Sequence, residues 1–396
     1  MKKPMSPLNT TNRTEESSRA RSASPQVSVQ NVWDTPARVL LDEDSFVSLL
    51  YLERRRAERA NKPFVLMLVD VKTALANGHK KSTIDKISLA LAKAVRETDL
   101  IGWYLDENLL GVIGTELGET APQVVKMRML EKVRQELQLS IGAEKAGLIS
   151  YSFHFFPEEI KENNSDHSAN ITLYPDLSRK NGAKKLALGI KRAMDVVGSA
   201  VALLILSPVF AAIAFVIKLT SKGPVLFCQE RLGQYGKTFT VLKFRSMRTD
   251  CDARIHQEYV NQFISGNVKG SSQEGAQTVF KIQEDPRITG VGSFLRKTSL
   301  DELPQFWNVL RGDMSLVGPR PPIEYEFKAY DVWHRRRVLE IKPGITGLWQ
   351  VKGRSRIRFD DMVRLDLKYA RVWSIWLDLK ILVQTPGAVF SGEGAH

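Results

Sequence analysis

One apolar segment limits what this chain can fold into more than any other feature. Residues 196–217 are hydrophobic almost throughout, with the pair Ser207-Pro208 set inside them. About 20 apolar residues suffice to cross a bilayer. Yet both flanks are basic, with Lys191 and Arg192 before the segment and Lys218 and Lys222 after it. Basic residues mark the cytoplasmic side of a membrane segment, so both ends call for the same face. A proline in mid-helix removes a backbone hydrogen bond and crowds the preceding turn, which bends the helix. A helix bent there enters one leaflet and returns. The expectation is a monotopic chain with a re-entrant helix at about residues 190–219. A plain transmembrane helix and a buried core helix are the alternatives that hydropathy leaves open.

The 396 residues suggest two or three domains, and 43% hydrophobic residues supply ample core. A net charge of +13 calls for an anionic partner: nucleic acid, anionic lipid or a phosphorylated substrate. No nucleic-acid recognition module accompanies the charge, so nucleic acid is not expected. The two cysteines, Cys228 and Cys251, have no metal-ligand spacing and argue against a disulfide framework. No apolar run follows the N-terminal lysines, so a cleaved signal peptide is not expected.

Residues 1–38, rich in Ser, Thr, Asn, Arg and Pro, read as a disordered tail. Residues 39–160 read as an α/β (α+β) domain: helix 44–60, a buried strand at 64–69 followed by Asp70, helix 84–96, strand 109–113, helix 124–137 and strand 148–156. That rhythm is of the βαβ type and implies a compact domain. Residues 161–183 read as a linker, and 184–396 as one mostly helical, membrane-associated unit. Within it, 264–278 is rich in Gly, Ser and Gln, as a mobile loop would be.

The densest chemistry lies between residues 285 and 322. Asp301 and Glu302 precede an apolar helix pattern (Phe306, Trp307, Val309, Leu310), and Pro304 suits a first helical turn. Asp301 then reads equally as an N-cap, with Glu302 favourable near the helix dipole. The chemical alternative is that one carboxylate attacks phosphorus while its neighbour holds a divalent cation. Arg296 and Arg320 flank the pair in sequence, and arginine's planar fork suits phosphate oxygens.

Four motifs occur in order: Ser207-Pro208, Lys243-Phe244-Arg245-Ser246-Met247, the run from Thr298 through Asp301-Glu302 to Gln305, and Pro319-Arg320-Pro321. Together they resemble the bacterial monotopic sugar transferases, which are polyprenyl-phosphate hexose-1-phosphate transferases. The likeness covers residues 184–396. It implies that Ser207 and Pro208 break a re-entrant helix, that Asp301 is the nucleophile and that Glu302 is its Mg²⁺-associated partner. It also implies nucleotide binding by Arg320 in its turn with Pro319 and Pro321, similar work for Arg296, and positions near the active site for Lys243 and Arg245. The implied reaction moves hexose-1-phosphate from a UDP-sugar to polyprenyl (undecaprenyl) phosphate and releases UMP. The implied location is the cytoplasmic face of the bacterial inner membrane, and the implied pathway is exopolysaccharide or other surface glycan assembly. The alternative is a non-catalytic membrane-anchored cyclic di-GMP receptor or scaffold.

The remaining basic and aromatic runs keep two readings each. His334-Arg335-Arg336-Arg337 and residues 352–358 read as facing anionic lipid or substrate, or as a solvated face. Trp373, Trp376, Leu377, Leu379, Ile381 and Leu382 suit an interfacial helix or a core stripe.

The N-terminal stretch 96–108 resembles the approach to the signature of a GGDEF domain, with Asp70 at the first metal-binding position. Leu105-Asp106-Glu107-Asn108-Leu109 stands where the signature belongs, so its glycine turn is lost, and Lys72 replaces a second acid. Cyclase activity is therefore not expected. Arg96 and Asp99 match that family's Arg-x-x-Asp site for cyclic di-GMP, although a helix-end ion pair explains the pattern as well. Without a ligand, the domain is expected to serve docking or dimerisation, as in a homodimer.

Overall fold

The first six residues of β1 (Phe64–Asp70) are all buried, because this strand lies inside its sheet. A computed structural model describes residues 40–76, 80–158, 170–177, 185–248, 287–353 and 357–390, with positions 258, 262 and 264. The expected tail, most of the expected linker, the Gly-Ser-Gln loop and Cys251 lie outside the described residues.

The N-terminal region runs α1 (Glu43–Ala60), β1, α2 (Lys72–Leu75), α3 (Lys80–Ala94), β2 (Leu100–Leu105), β3 (Leu109–Gly114), α4 (Pro122–Ile141), α5 (Ala143–Gly147) and β4 (Ser150–Phe156). The strand order is β2-β3-β1-β4. Every pairing is antiparallel, so the βαβ-type rhythm of the sequence produces an α+β layer and not parallel crossovers. Strand β2 had no counterpart among the expected elements; its apolar run was absorbed into the motif at 96–108.

Helices α3 and α4 cover one face of the sheet, where Ile87, Leu91, Val133 and Leu137 join Met67, Val69, Leu110 and Val112. Helix α1 covers the other, through Phe46 and Leu50 against Leu66, Leu68 and Ile113. Gly102 and Gly111 permit that contact: a Cβ there would stand 2.7 and 2.4 Å from the Phe46 ring. Within the stretch read as linker, Leu173, Tyr174 and Leu177 are buried in the same cluster.

The second part runs α6 (Lys185–Ile205), α7 (Ser207–Thr220), β5 (Leu226–Leu232), β6 (Thr238–Phe244), α8 (Gly290–Lys297), α9 (Gln305–Arg311), β7 (Ser315–Val317), α10 (Glu324–Lys328), α11 (Val332–Glu340), β8 (Gly344–Thr346), α12 (Leu348–Lys352), α13 (Phe359–Val372) and α14 (Ile375–Phe390). Strands β5 and β6 form an antiparallel pair, and β7 and β8 a short parallel one.

Helices α6 and α7 are bent by 59° at Leu206. Neither alone is long and apolar enough to cross a membrane; the bent pair is, by length and composition. The Ser-Pro pair explains the break. Proline 208 has no N–H for the carbonyl of Leu204, and the Ser207 hydroxyl donates to that carbonyl instead, at 2.8 Å. Pro208 thus sits in the first turn of α7, where a missing N–H costs nothing. Around the bend Leu204, Ile205 and Phe215 are 75%, 68% and 65% exposed, a density of bare apolar surface that a water-facing helix does not carry.

The basic residues before the bend have another role than the sequence assigned them. The Lys191 ammonium is buried and donates to Asp378 at 2.6 Å and to the Val317 carbonyl at 3.1 Å. Arg192 donates to the carbonyls of Val309 and Leu310 at 2.7 and 2.8 Å, closing the end of α9. Asp195 accepts from the Ser315 hydroxyl and the Leu316 amide. The base of α6 is therefore bolted to β7, α9 and α14 by polar bonds. The aromatic stripe divides as well: Trp373 and Ile381 are buried, while Trp376 and Leu379 on α14 are 78% and 40% exposed.

Candidate active site

The carboxylate pair does not cap a helix. Ser299 adopts a left-handed conformation (φ 55°) that turns the chain out of α8, and Leu300–Glu302 then form one 3-10 turn. The N-cap of α9 is Pro304, and no side chain caps that helix. Asp301 is buried in the turn at 8% exposure, while Leu300 and Leu303 pack toward α7 with Ile213, Ile217 and Phe244. The dyad is thus built onto the second limb of the bent helix pair.

Strand β6 supplies the facing wall. Asn308 of α9 accepts from the Leu242 amide at 3.0 Å and donates to the Thr240 carbonyl at 2.7 Å, which fixes α9 against β6. From β6, Lys243 donates to Glu302 at 2.7 Å. One residue past the strand, Arg245 is buried and donates to the hydroxyl and carbonyl of Ser221, at 2.7 and 3.0 Å. Its Nη1 is buried with no hydrogen-bond partner among the described residues, as is Nη1 of Arg296 in the last turn of α8.

The Pro-Arg-Pro turn closes the third side. Gly318 and Gly344 cross so tightly that a Cβ on Gly344 would stand 2.0 Å from the Gly318 nitrogen. The Pro319 carbonyl accepts from the Gly344 amide at 2.9 Å. Beyond it, Arg320 forks onto Glu326 at 3.1–3.3 Å. Arg231 of β5 donates to the Pro321 carbonyl at 2.6 Å and to Gln229 at 2.8 Å. Glu326 thus bonds Arg320 directly, while Arg231 acts on the same carboxylate only through its field. Burial, then Arg320, pushes the Arg231 pKa down to about 10. Burial would raise the Glu326 carboxyl, but Arg320 and Arg231 together hold it below the ordinary value. For Arg320, burial works against the charge and the Glu326 fork outweighs it, so its pKa is raised.

The resulting cleft is open to solvent and is lined by Lys243, Glu302, Gln305, Arg320, Pro321 and Arg231, together with Gln350 and residues of β8. Of the residues singled out by sequence, the structure brings Lys243, Glu302, Arg320 and Pro321 into this cleft. Asp301, the chain neighbour of Glu302, and Arg245, Arg296 and Pro319 are not among the lining residues. Ser207 and Pro208 stand at the helix bend. Arg231 and Gln350 were missed. Arg231 follows Gln229 at strand spacing, a pattern that carries no signal by itself. Three cations line the cleft beside Glu302, a charge pattern that suits an anion such as a diphosphate.

In the N-terminal region Asp99 accepts from the Arg96 amide at 2.9 Å, while the Arg96 guanidinium reaches the Glu116 carbonyl at 3.4 Å. The pair closes a local turn. Residues Asp106, Glu107 and Asn108 form the β2–β3 turn, with Glu107 in the left-handed region at φ 57°.

Residues 186–392 match the sequence model of the bacterial sugar transferase family. The chain is 46% identical over 207 residues to the galactosyl transferase CpsE of Streptococcus agalactiae, covering 52% of this chain and 43% of that protein. It is 40% identical over 220 residues to the undecaprenyl-phosphate galactose phosphotransferase of Salmonella typhimurium, covering 55% and 44%. It is 40% identical over 221 residues to the exopolysaccharide production protein ExoY of Sinorhizobium fredii, covering 56% and 94%. The chain thus spans under half the length of the first two and nearly all of the third. A DGC protein from Thermotoga maritima superposes on 31% of the chain and 87% of its own length, with 22% identity and a TM-score of 0.23.

Proposed function

The chain belongs to the bacterial sugar transferase family, whose model spans residues 186–392, and from that membership we propose that it transfers hexose-1-phosphate from a UDP-sugar to polyprenyl phosphate and releases UMP. The observation that carries the reading is the cleft: a carboxylate dyad whose second member is 2.7 Å from Lys243, opposite Arg231 and Arg320. In the first step an Asp301 carboxylate oxygen attacks the β-phosphorus, and the bond to the bridging oxygen breaks to expel UMP. Lys243, Arg231 and Arg320 offset the charge that gathers on the departing phosphate. In the second step a phosphate oxygen of the polyprenyl acceptor displaces the Asp301 carboxylate. The product is a polyprenyl diphosphate sugar, and Asp301 is regenerated.

The donor set suits Mg²⁺, which takes one or two carboxylates plus substrate phosphate oxygens. Glu302 would hold it, and no larger cluster of His, Cys, Asp or Glu joins it among the described residues. When bound, the ion neutralises phosphate charge and polarises the phosphoryl group.

We further read the bent pair α6–α7 as a re-entrant anchor in the bacterial inner membrane, with the cleft on the cytoplasmic face, and the product as feeding exopolysaccharide or other surface glycan assembly. The bare apolar surface around the bend and the family membership support that reading. The N-terminal region is proposed as a GGDEF-like regulatory domain; whether Arg96 and Asp99 take cyclic di-GMP and whether the chain forms a homodimer are parts of the same proposal.

The test is UMP release from a panel of UDP-sugars with undecaprenyl phosphate and Mg²⁺, for wild type and Asp301→Asn. Release that depends on one sugar, on lipid and on Asp301 is expected. Folded, membrane-bound wild type that releases no UMP from any donor sinks the reading and favours a scaffold or receptor.

A further inference from the structure

The run His334-Arg335-Arg336-Arg337 is turned inward. His334 and Arg337 are each 2% exposed. His334 meets Asp360 at 3.1 Å, and Arg337 meets Asp366 at 2.7 Å. The same Arg337 Nη2 donates to the carbonyl of Arg320 at 3.3 Å. It therefore holds the backbone of a cleft-lining arginine from behind.

Its neighbours on α11 face the N-terminal region. Arg336 pairs with Glu340 on its own helix and with Glu58 of α1 at 3.7 Å. Arg335 lies over the Phe327 ring and within electrostatic reach of Glu158 and Tyr174. Leu339 is buried in the cluster that holds Phe46, Leu50, Leu173 and Tyr174, with Val332 packed against it. One nine-residue helix thus joins two distant regions: one side sits in the core of the α+β layer, and the other carries the residue that sets Arg320.

Resting on the transferase reading for the role of Arg320, we propose that Arg337 is a positioning residue for that arginine and that Arg336 and Glu58 make its setting depend on the N-terminal region. The α+β layer then tunes donor affinity through α11, without any of its residues entering the cleft. A change that loosens the seam frees the turn at 319–321 and misaligns the Arg320 fork.

The experiment uses the full chain in lipid nanodiscs, with wild type, Arg337→Lys, Arg336→Gln and Glu58→Gln. Lysine keeps a cation for Asp366 but has no planar fork to hold the carbonyl as well. Two readouts are taken: amide exchange of the peptide covering residues 318–323, and KM and kcat for the UDP-sugar that turns over. Exchange at 318–323 is expected to rise in all three variants, and donor KM by about fivefold or more in Arg337→Lys with kcat within twofold. A smaller KM rise in the same direction is expected for the two seam variants. Unchanged exchange and KM in folded Arg337→Lys overturn the positioning role. Unchanged values in Arg336→Gln and Glu58→Gln overturn the link to the N-terminal region. Should Arg337→Lys not fold, the two seam variants decide the matter. Exchange that responds while wild type turns over no donor refutes the transferase reading and leaves the linkage standing.

Discussion

Asp378 offers the sharpest test of how the bent helix pair is held. Its carboxylate is 0% exposed and accepts from Lys191 at 2.6 Å, from the Tyr369 hydroxyl at 2.5 Å and from the Trp373 indole at 3.1 Å. Asp378→Asn keeps the shape but leaves the Lys191 ammonium, 7% exposed, without a counter-charge. Removing one partner of such a pair costs about 3–5 kcal/mol. Lys191→Met strands the carboxylate and falls in the same range. In the double variant both charges are gone, and the asparagine oxygen still accepts from Tyr369 or Trp373. The double should therefore lose less than either single change. Thermal unfolding in one detergent, followed by tryptophan fluorescence, measures all four proteins in a double-mutant cycle. At about 2–4 °C per kcal/mol for a domain of this size, each single variant should melt roughly 10 °C below wild type. A double variant destabilised by the sum of the two singles would falsify the account of Lys191 as an internal bolt.

Three further expectations follow from particular residues. Burial raises the Glu58 pKa from its ordinary 4.5 to about 7, against the pull of Arg55 and Arg54. The folded chain then binds a proton that the unfolded chain has lost, so stability falls as pH rises from about 4.5 to 7, by up to about 3 kcal/mol. Denaturant melts at pH 5 and 7.5 should show that slope reduced in Glu58→Gln, and an equal slope in both proteins refutes it. Arg231→Gln removes a buried cation from the cleft and should raise donor KM about tenfold or more, the worth of a charged hydrogen bond; initial-rate kinetics with unaltered KM would exclude Arg231 from donor binding. Cys228, exposed and free, lies just past the bent pair. An impermeant thiol reagent should label it in inside-out vesicles and not in intact spheroplasts, and the reverse pattern would mean a span instead of a re-entrant turn.

Local chemistry was legible in the sequence wherever its cause was local. The Ser207-Pro208 break follows from bonds made within a few residues and β1 from its unbroken apolar run, and both stand where the sequence put them, whereas Asp301-Glu302 form a 3-10 turn and not the helix N-terminus that the sequence suggested. The antiparallel order of the sheet was not legible, because the residue pattern of segments such as β1 and β4 suits pairing in either direction. Neither was Arg231, whose part in the cleft depends on Pro321, 90 residues on.

The fate of the basic residues divides sequence from structure most clearly. A sequence counts Lys191, Arg192 and the run 334–337 as charge, and surface charge is the natural reading of each. Whether a cation meets water, lipid or a carboxylate is decided by partners far along the chain: Asp378 lies 187 residues from Lys191, and Glu58 far N-terminal of Arg336. Burial of such a group is tolerated only where folding delivers its counter-charge. The sequence by itself determined the bend, the dyad and the motif order. Only the tertiary structure decided which cations line the cleft and which hold the molecule together, since desolvation and pairing are properties of the packed chain.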